Sequence, residues 1–258
     1  MISASNLKGE FRDRKIVVGG WISFAHPSIT EIFANCGFDL IAIDMEHSTI
    51  SLEQAQRIIA ASQSYGVPCL PRPVSHSNDW IKPLLDSGAN GLIAPMVNSG
   101  VDCKTLSSLI KFPPLGRRSF GVNRAHEYGR SFDEYVLNWN DNSVFIAQIE
   151  TKEAVKEIDA ILDNPLLDGV MIGPYDLSGS LGVPGETNHP LVLDAEKSIL
   201  NACKKRSKAC GTQLADFTEE TFGKTLEKGY SFVFASSDLF VLNNWASSVT
   251  SILKGIRN

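Results

Sequence analysis

Apolar residues in this chain gather into short, nearly continuous runs, and five of these runs end abruptly on polar or charged side chains. Leu40-Ile41-Ala42-Ile43 runs into Asp44-Met45-Glu46-His47, and Val144-Phe145-Ile146-Ala147 into Gln148-Ile149-Glu150. Pro68-Cys69-Leu70-Pro71 leads to Arg72, Val170-Met171-Ile172 to Gly173-Pro174-Tyr175-Asp176, and Gly211-Thr212-Gln213-Leu214 to Asp216. A half-buried antiparallel strand alternates polar and apolar positions, whereas a parallel strand covered on both faces is apolar throughout. Together with three further runs, this pattern predicts strands at Val17–Ser23, Phe38–Asp44, Pro68–Pro73, Gly91–Met96, Val144–Glu150, Asp168–Gly173, Cys210–Leu214 and Ser231–Ala235.

Helical spacing fills the intervals. Ser51–Ser64 carries Leu52, Ala55, Ile58 and Ile59 on one face, and Thr151–Leu162 carries Ala154, Val155, Ile158 and Leu162. Gly37, Gly66-Val67-Pro68, Gly88 and Gly229 punctuate the helix-to-strand joints, as helix C-caps do. Eight strands alternating with helices predict an α/β fold, a (β/α)8 barrel occupying residues 1–258 as a single domain. The rival is a doubly wound sheet, but no GxGxxG follows the first strand and no P-loop is present. In a barrel the polar strand ends meet at one face, where such enzymes place their chemistry.

Composition narrows the picture. The 258 residues suit one barrel, and 43% hydrophobic content builds a core without disulfide or metal staples. A net charge of −5 weighs against nucleic acid or an anionic membrane as partner. The five cysteines show no CxxC pair or zinc spacing, and most read as reduced thiols packed in the core. Met1 to Lys15 has no apolar signal-peptide core, and no stretch approaches the roughly 20 apolar residues of a membrane helix. A soluble cytoplasmic protein is expected. Two segments break the rhythm, Phe112–Gly121 with the polar run Asn123–Gly129 behind it, and Leu181–Pro190. Both are expected to lie over the active face, the first bringing Arg117, Arg118 and Arg124 above the site.

Glu150 and Asp176 end consecutive strands, which are neighbours in a barrel. Two such carboxylates repel unless a cation lies between them, and an all-oxygen set favours Mg²⁺ or Mn²⁺ over zinc. The competing reading is that each only caps a helix. Arg72, closing an apolar strand, is either the structural partner of a barrel carboxylate or a fork for a substrate carboxylate or keto oxygen. His47 follows a strand among acidic residues that could orient it for proton transfer. No comparable context surrounds His76, His126 or His189, and Cys69 reads as packing. No lysine falls at a strand end, which argues against Schiff-base chemistry.

These residues resemble the HpcH/HpaI family of metal-dependent pyruvate aldolases, from about Val18 to Trp245. The markers are Phe38–His47, Arg72-Pro73, Leu85–Ala89, Ala94–Val97, Gln148–Thr151, Gly173–Ser178 and Leu181–Pro190. The resemblance implies reversible cleavage of a 4-hydroxy-2-keto acid to pyruvate and an aldehyde through a metal-stabilised enolate. It implies a divalent metal (Mg²⁺ or Mn²⁺) on Glu150 and Asp176, with Arg72 at the pyruvyl oxygens and Gln148 beside the metal. Gly173, Tyr175 and Asp176 would meet the substrate carboxylate, the last two through backbone amides. His47 would carry the proton, supported by Asp44 and by Asp86 of a neighbouring subunit. It further implies a homo-oligomer, a homo-hexamer or other assembly built from dimers, with the last helix exchanged between subunits. Ser119 stands where the family's G-x-R-G loop has glycine, and Gln213–Asp216 and Ser236–Asp238 also depart from its commonest forms; these loops bear on the aldehyde half. Rival readings are a citrate-forming condensing enzyme, a related CoA-thioester lyase, and a non-catalytic barrel kept for ligand binding.

Overall fold

The computed structural model describes residues 6–257; the first five residues of the polar N-terminal stretch and Asn258 lie outside the described residues. Every expected strand is present, seven of them trimmed by a residue or two and the seventh in chain order one residue longer. They are β1 (Val17–Ile22), β2 (Leu40–Asp44), β3 (Cys69–Arg72), β4 (Gly91–Ala94), β5 (Val144–Ile149), β6 (Gly169–Ile172), β7 (Ala209–Leu214) and β8 (Phe232–Ala235). The helices are α1 (Leu7–Arg12), α2 (Pro27–Ala34), α3 (Leu52–Ser64), α4 (Asn78–Asp86), α5 (Gly100–Ile110) and α6 (Phe132–Asn142). There follow α7 (Lys152–Lys156), α8 (Ile158–Leu162), α9 (Pro174–Ser180), α10 (Pro190–Lys205), α11 (Glu219–Lys228) and α12 (Asp238–Arg257). The single helix expected over Thr151–Leu162 is two, because the chain turns at Glu157 and α8 packs against α5 and α10.

All strand pairs are parallel, in the order β3-β2-β1-β8-β7-β6-β5-β4, a nearly closed (β/α)8 barrel. The seam lies between β3 and β4, and the sequence explains it. The carbonyls of Pro68 and Arg72 bond to β2, so the odd residues Cys69 and Pro71 face β4, and Pro71 has no N–H to give. Asn90 closes the gap instead: its N–H donates to the Cys69 carbonyl at 2.9 Å and its Oδ1 accepts from the Cys69 N–H at 2.9 Å.

Two apolar layers follow from the period of two along each strand. Ile41, Ile43, Cys69, Phe145, Ala147, Val170 and Ile172 face the helices. Leu40, Ala42, Leu70, Val144, Ile146 and Met171 fill the barrel interior with Trp21, Phe232 and Phe234, and α1 plugs its N-terminal end with Leu7 and Phe11. Continuing that alternation carries Asp44, Arg72, Gln148, Glu150 and Gly173 to the inside of the C-terminal mouth. The α12 helix contacts little of the barrel beyond β1. Its Val241, Leu242, Trp245, Ile252 and Ile256 are all at least half exposed. No helix among the described residues is long and apolar enough to cross a membrane.

Candidate active site

Asp44 organises the mouth. Its Oδ1 accepts from Arg72 Nη2 at 2.8 Å and Nε at 3.2 Å, and from the backbone N–H groups of Glu46 and His47 at 3.1 Å each. Its Oδ2 lies 3.5 Å from Trp21 Nε1. Arg72, only 7% exposed, stacks its guanidinium 4.8 Å from the Trp21 ring centroid and turns Nη1 toward Gln148 Oε1 at 3.3 Å. The same Nη1 is 3.2 Å from Glu46 Oε2. Arg72 is therefore the partner of a buried carboxylate, with one corner of its fork left facing the mouth.

On the facing wall, Glu150 is buried. Its Oε1 accepts from the Met96 N–H at 2.6 Å, and its Oε2 accepts from Gln148 Nε2. Burial raises its pKa above the ordinary carboxylate value and Asp176 adds to the rise, against the opposing Met96, Gln148 and Arg72. Neither acid caps a helix. Thr151 caps α7, its side chain accepting from the Ala154 N–H at 3.1 Å, and α9 starts from Gly173 with Asp176 already in its first turn.

The donor chemistry suits a divalent metal. Two carboxylates brought together this way repel, and a cation between them relieves the repulsion. Gly173 keeps the space beside them open, because a Cβ there would stand 2.7 Å from Glu150 Oε2 and 3.1 Å from Gln148 Nε2. Among the described residues no group of three His, Cys, Asp or Glu side chains forms a closed cage, so any ion on this pair would complete its shell with water or substrate oxygens.

His47 is at the rim, its side chain 62% exposed and its Nε2 3.8 Å from Glu46 Oε2. Asp44 supports it through the backbone N–H, not through the imidazole. Tyr175 and Asp176 are exposed in the first turn of α9. Asp86 is not at this site within one chain. It ends α4, at the barrel's opposite end, and accepts from Arg118 Nη2 at 2.8 Å.

The loop expected over the site is also elsewhere in this chain. Phe112–Gly121 follows α5, not a strand, and so lies at the N-terminal end of the barrel. Arg118 is buried against Phe112 and Trp139, 4.6 and 4.4 Å from their centroids, and Arg124 donates to Gln63 Oε1 at 2.6 Å and to the Ser87 carbonyl at 2.9 Å. The run Asn123–Gly129 is not all surface. His126 is 2% exposed and knits the loop through the Gly121 carbonyl and the Asn123 and Gly129 N–H groups. Leu181–Pro190 does follow a βα connection, on the mouth side.

Four of the cysteines are buried and free, Cys36 being exposed. Burial pushes the Cys69 thiol well up, which suits packing and not nucleophilic attack. Lys111 is buried, and burial with nearby Lys8 lowers its pKa to about 7. It donates to the carbonyls of Asn140 and Ser143 at 3.0 and 2.8 Å, beneath β5 at the end of the barrel away from the mouth, so it is no Schiff-base candidate. Three mouth features had no role assigned from sequence: the Trp21 platform, the Met96 N–H and the inward Glu46 carboxylate. Glu46 stands within the Asp44–His47 run, which is the signal that marks it.

Comparison with known proteins points one way. The sequence model of the HpcH/HpaI aldolase/citrate lyase family matches residues 18–244. The chain is 32% identical over 253 residues to the 2-keto-3-deoxy-L-rhamnonate aldolase of Salmonella typhi, covering 97% of this chain and 94% of that protein. The crystal structure of an HpcH/HpaI aldolase from Desulfitobacterium hafniense DCB-2 superimposes with a TM-score of 0.89 at 29% identity, covering 96% of each chain. That of the citrate synthase SbnG gives 0.85 at 27%, over 98% of this chain and 99% of that one.

Proposed function

The chain belongs to the HpcH/HpaI aldolase/citrate lyase family, and from that premise we propose that it reversibly cleaves a 4-hydroxy-2-keto acid to pyruvate and an aldehyde. As a family member it is an aldolase, a carbon–carbon lyase. The Salmonella relative's name puts a deoxy sugar-acid chain among the first substrates to try. The observation that carries the proposal is the convergence of Arg72 with Gln148 and Glu150 from opposite walls of the mouth, with Arg72 Nη1 aimed at Gln148.

Glu150 and Asp176 would hold a divalent cation, Mg²⁺ or Mn²⁺, with Gln148 beside it. Bound there, the ion would supply Lewis-acid stabilisation of the negative charge that develops on the keto oxygen. Arg72 binds the pyruvyl oxygens through Nη1 and is preorganised by Asp44 and Trp21, so its donor needs no reorganisation during reaction. Gly173 gives the substrate close approach to Glu150, and the N–H groups of Tyr175 and Asp176 at the start of α9 receive the carboxylate. His47 carries the hydroxyl proton between site and solvent. The exposed apolar side chains of α12 support a homo-oligomer, a hexamer built from dimers, in which this helix is exchanged and Asp86 of a neighbour completes the His47 site. A cytoplasmic location and small-molecule substrates, without nucleic acid or membrane, complete the reading.

Pyruvate release from a panel of 4-hydroxy-2-keto acids, with a divalent metal supplied, tests it; no release from any member would refute it. The likeness to a citrate synthase favours one second reading, in which the pyruvyl half is kept and an oxaloacetate-type acceptor replaces the aldehyde. Product analysis with oxaloacetate against simple aldehydes separates the two.

A further inference from the structure

We propose that Glu46 receives the proton of the substrate's C4 hydroxyl during cleavage, and that His47 passes that proton to solvent. This deepens the aldolase reading and rests on it. Asp44 Oδ1 accepts the N–H groups of both Glu46 and His47, and the turn it fixes leaves the two side chains adjacent but unequally exposed. The Glu46 carboxylate goes into the mouth, its side chain 15% exposed, and the imidazole goes out to the rim.

Glu46 Oε2 is buried and has no hydrogen-bond partner. Arg72 Nη1 forms an ion pair with it at 3.2 Å while hydrogen-bonding Gln148 Oε1. A buried carboxylate oxygen that accepts no hydrogen bond is costly even beside a guanidinium, and a substrate hydroxyl supplies the missing donor. The other inward carboxylates are engaged. Asp44 accepts from Arg72, two backbone N–H groups and Trp21, and Glu150 accepts from Met96 and Gln148. With the pyruvyl oxygens on Arg72, C4 lies only two bonds from the keto carbon, so its hydroxyl falls beside Glu46. Burial raises the Glu46 pKa, with Glu150 and Asp44 adding and Arg72 and His47 opposing, which shifts this carboxylate toward the range of a useful base.

The step balances without a further reactant. The C4 O–H bond breaks and its proton moves to Glu46 Oε2, and C4 becomes the aldehyde carbonyl. The C3–C4 bond breaks with its electron pair passing into the pyruvyl half as an enolate, which takes a proton from solvent at C3 to leave as pyruvate. The proton on Glu46 then crosses to His47 Nε2, 3.8 Å away, and out to solvent; condensation runs the path in reverse.

The test uses full-length enzyme with Mg²⁺ and a 4-hydroxy-2-keto acid that the wild type cleaves. Glu46→Gln should lower the cleavage rate about 10²–10⁴-fold, with pyruvate binding by calorimetry close to wild type. Glu46→Asp should recover part of the loss. His47→Ala should lose less, and added imidazole should restore it but not Glu46→Gln. Three results would overturn the assignment: Glu46→Gln cleaving at the wild-type rate, Glu46→Gln losing pyruvate binding in proportion to cleavage, or His47→Ala losing as much without rescue. A wild type that cleaves no such acid would sink the aldolase reading as well, a failure visible before any variant is made.

Discussion

Replacing Arg72 by lysine separates charge from geometry. The arginine spends Nε and Nη2 on Asp44 Oδ1, at 3.2 and 2.8 Å, and keeps Nη1 for Gln148 and the mouth. A lysine Nζ can stay with Asp44 but cannot also present a second, fixed donor to substrate. Losing one preorganised donor costs on the order of 10²–10³ in rate, about 2.7–4 kcal/mol of transition-state stabilisation. The stability cost is smaller because Asp44 keeps a cation. It comprises the stack on Trp21, about 0.5–2 kcal/mol, and a hydrogen bond of about 0.5–1.5 kcal/mol. Arg72→Ala, by contrast, strands a buried carboxylate at about 3–5 kcal/mol. The assay is pyruvate release coupled to lactate dehydrogenase, alongside thermal unfolding of each variant. Arg72→Lys should be folded and nearly inactive. A kcat/KM within about 1 kcal/mol of wild type, roughly fivefold, would mean that the guanidinium is structural and the donor argument is wrong.

Gly173→Ala would place a methyl 2.7 Å from Glu150 Oε2; metal affinity by calorimetry should fall at least about tenfold, a loss of about 1.4 kcal/mol, while the barrel stays folded, and unchanged affinity would remove the cradle from the account. Lys111, lowered to about 7 from 10.5 by burial, binds fewer protons folded than unfolded across that window, so its contribution makes stability rise as pH increases above 7. Denaturant midpoints measured against pH should show a shallower rise in Lys111→Met, and an identical slope would refute the assignment. Trp245→Glu on the exposed face of α12 should shift sedimentation toward smaller species, and an unchanged assembly would place the subunit contact elsewhere.

The barrel was legible because parallel strands covered on both faces leave apolar runs, and each strand falls where such a run lies. Strand ends were overextended: Pro73, Met96 and Glu150 sit beyond the ladder, in the turns that aim them. Asp44, Arg72, Gln148 and Glu150 could be read from their places at the ends of those runs. Glu46 could not, because its direction depends on two backbone N–H groups captured by Asp44. Arg118 in a Pro/Gly loop reads as a group above the active face, yet Phe112, Tyr135 and Trp139 from separate segments assemble around it. Lys111 escaped for the same reason, its carbonyl partners lying about thirty residues away in sequence.

The central claim, a metal-assisted aldol cleavage on the Glu150/Asp176 wall, is tested most directly by single-turnover pyruvate release from a 2-keto-3-deoxy sugar acid, before and after chelation. Pyruvate and aldehyde should appear in equal amounts, vanish in the metal-stripped protein, and return on adding Mg²⁺ or Mn²⁺. Full turnover without metal, or borohydride trapping of pyruvate on a lysine, would contradict it.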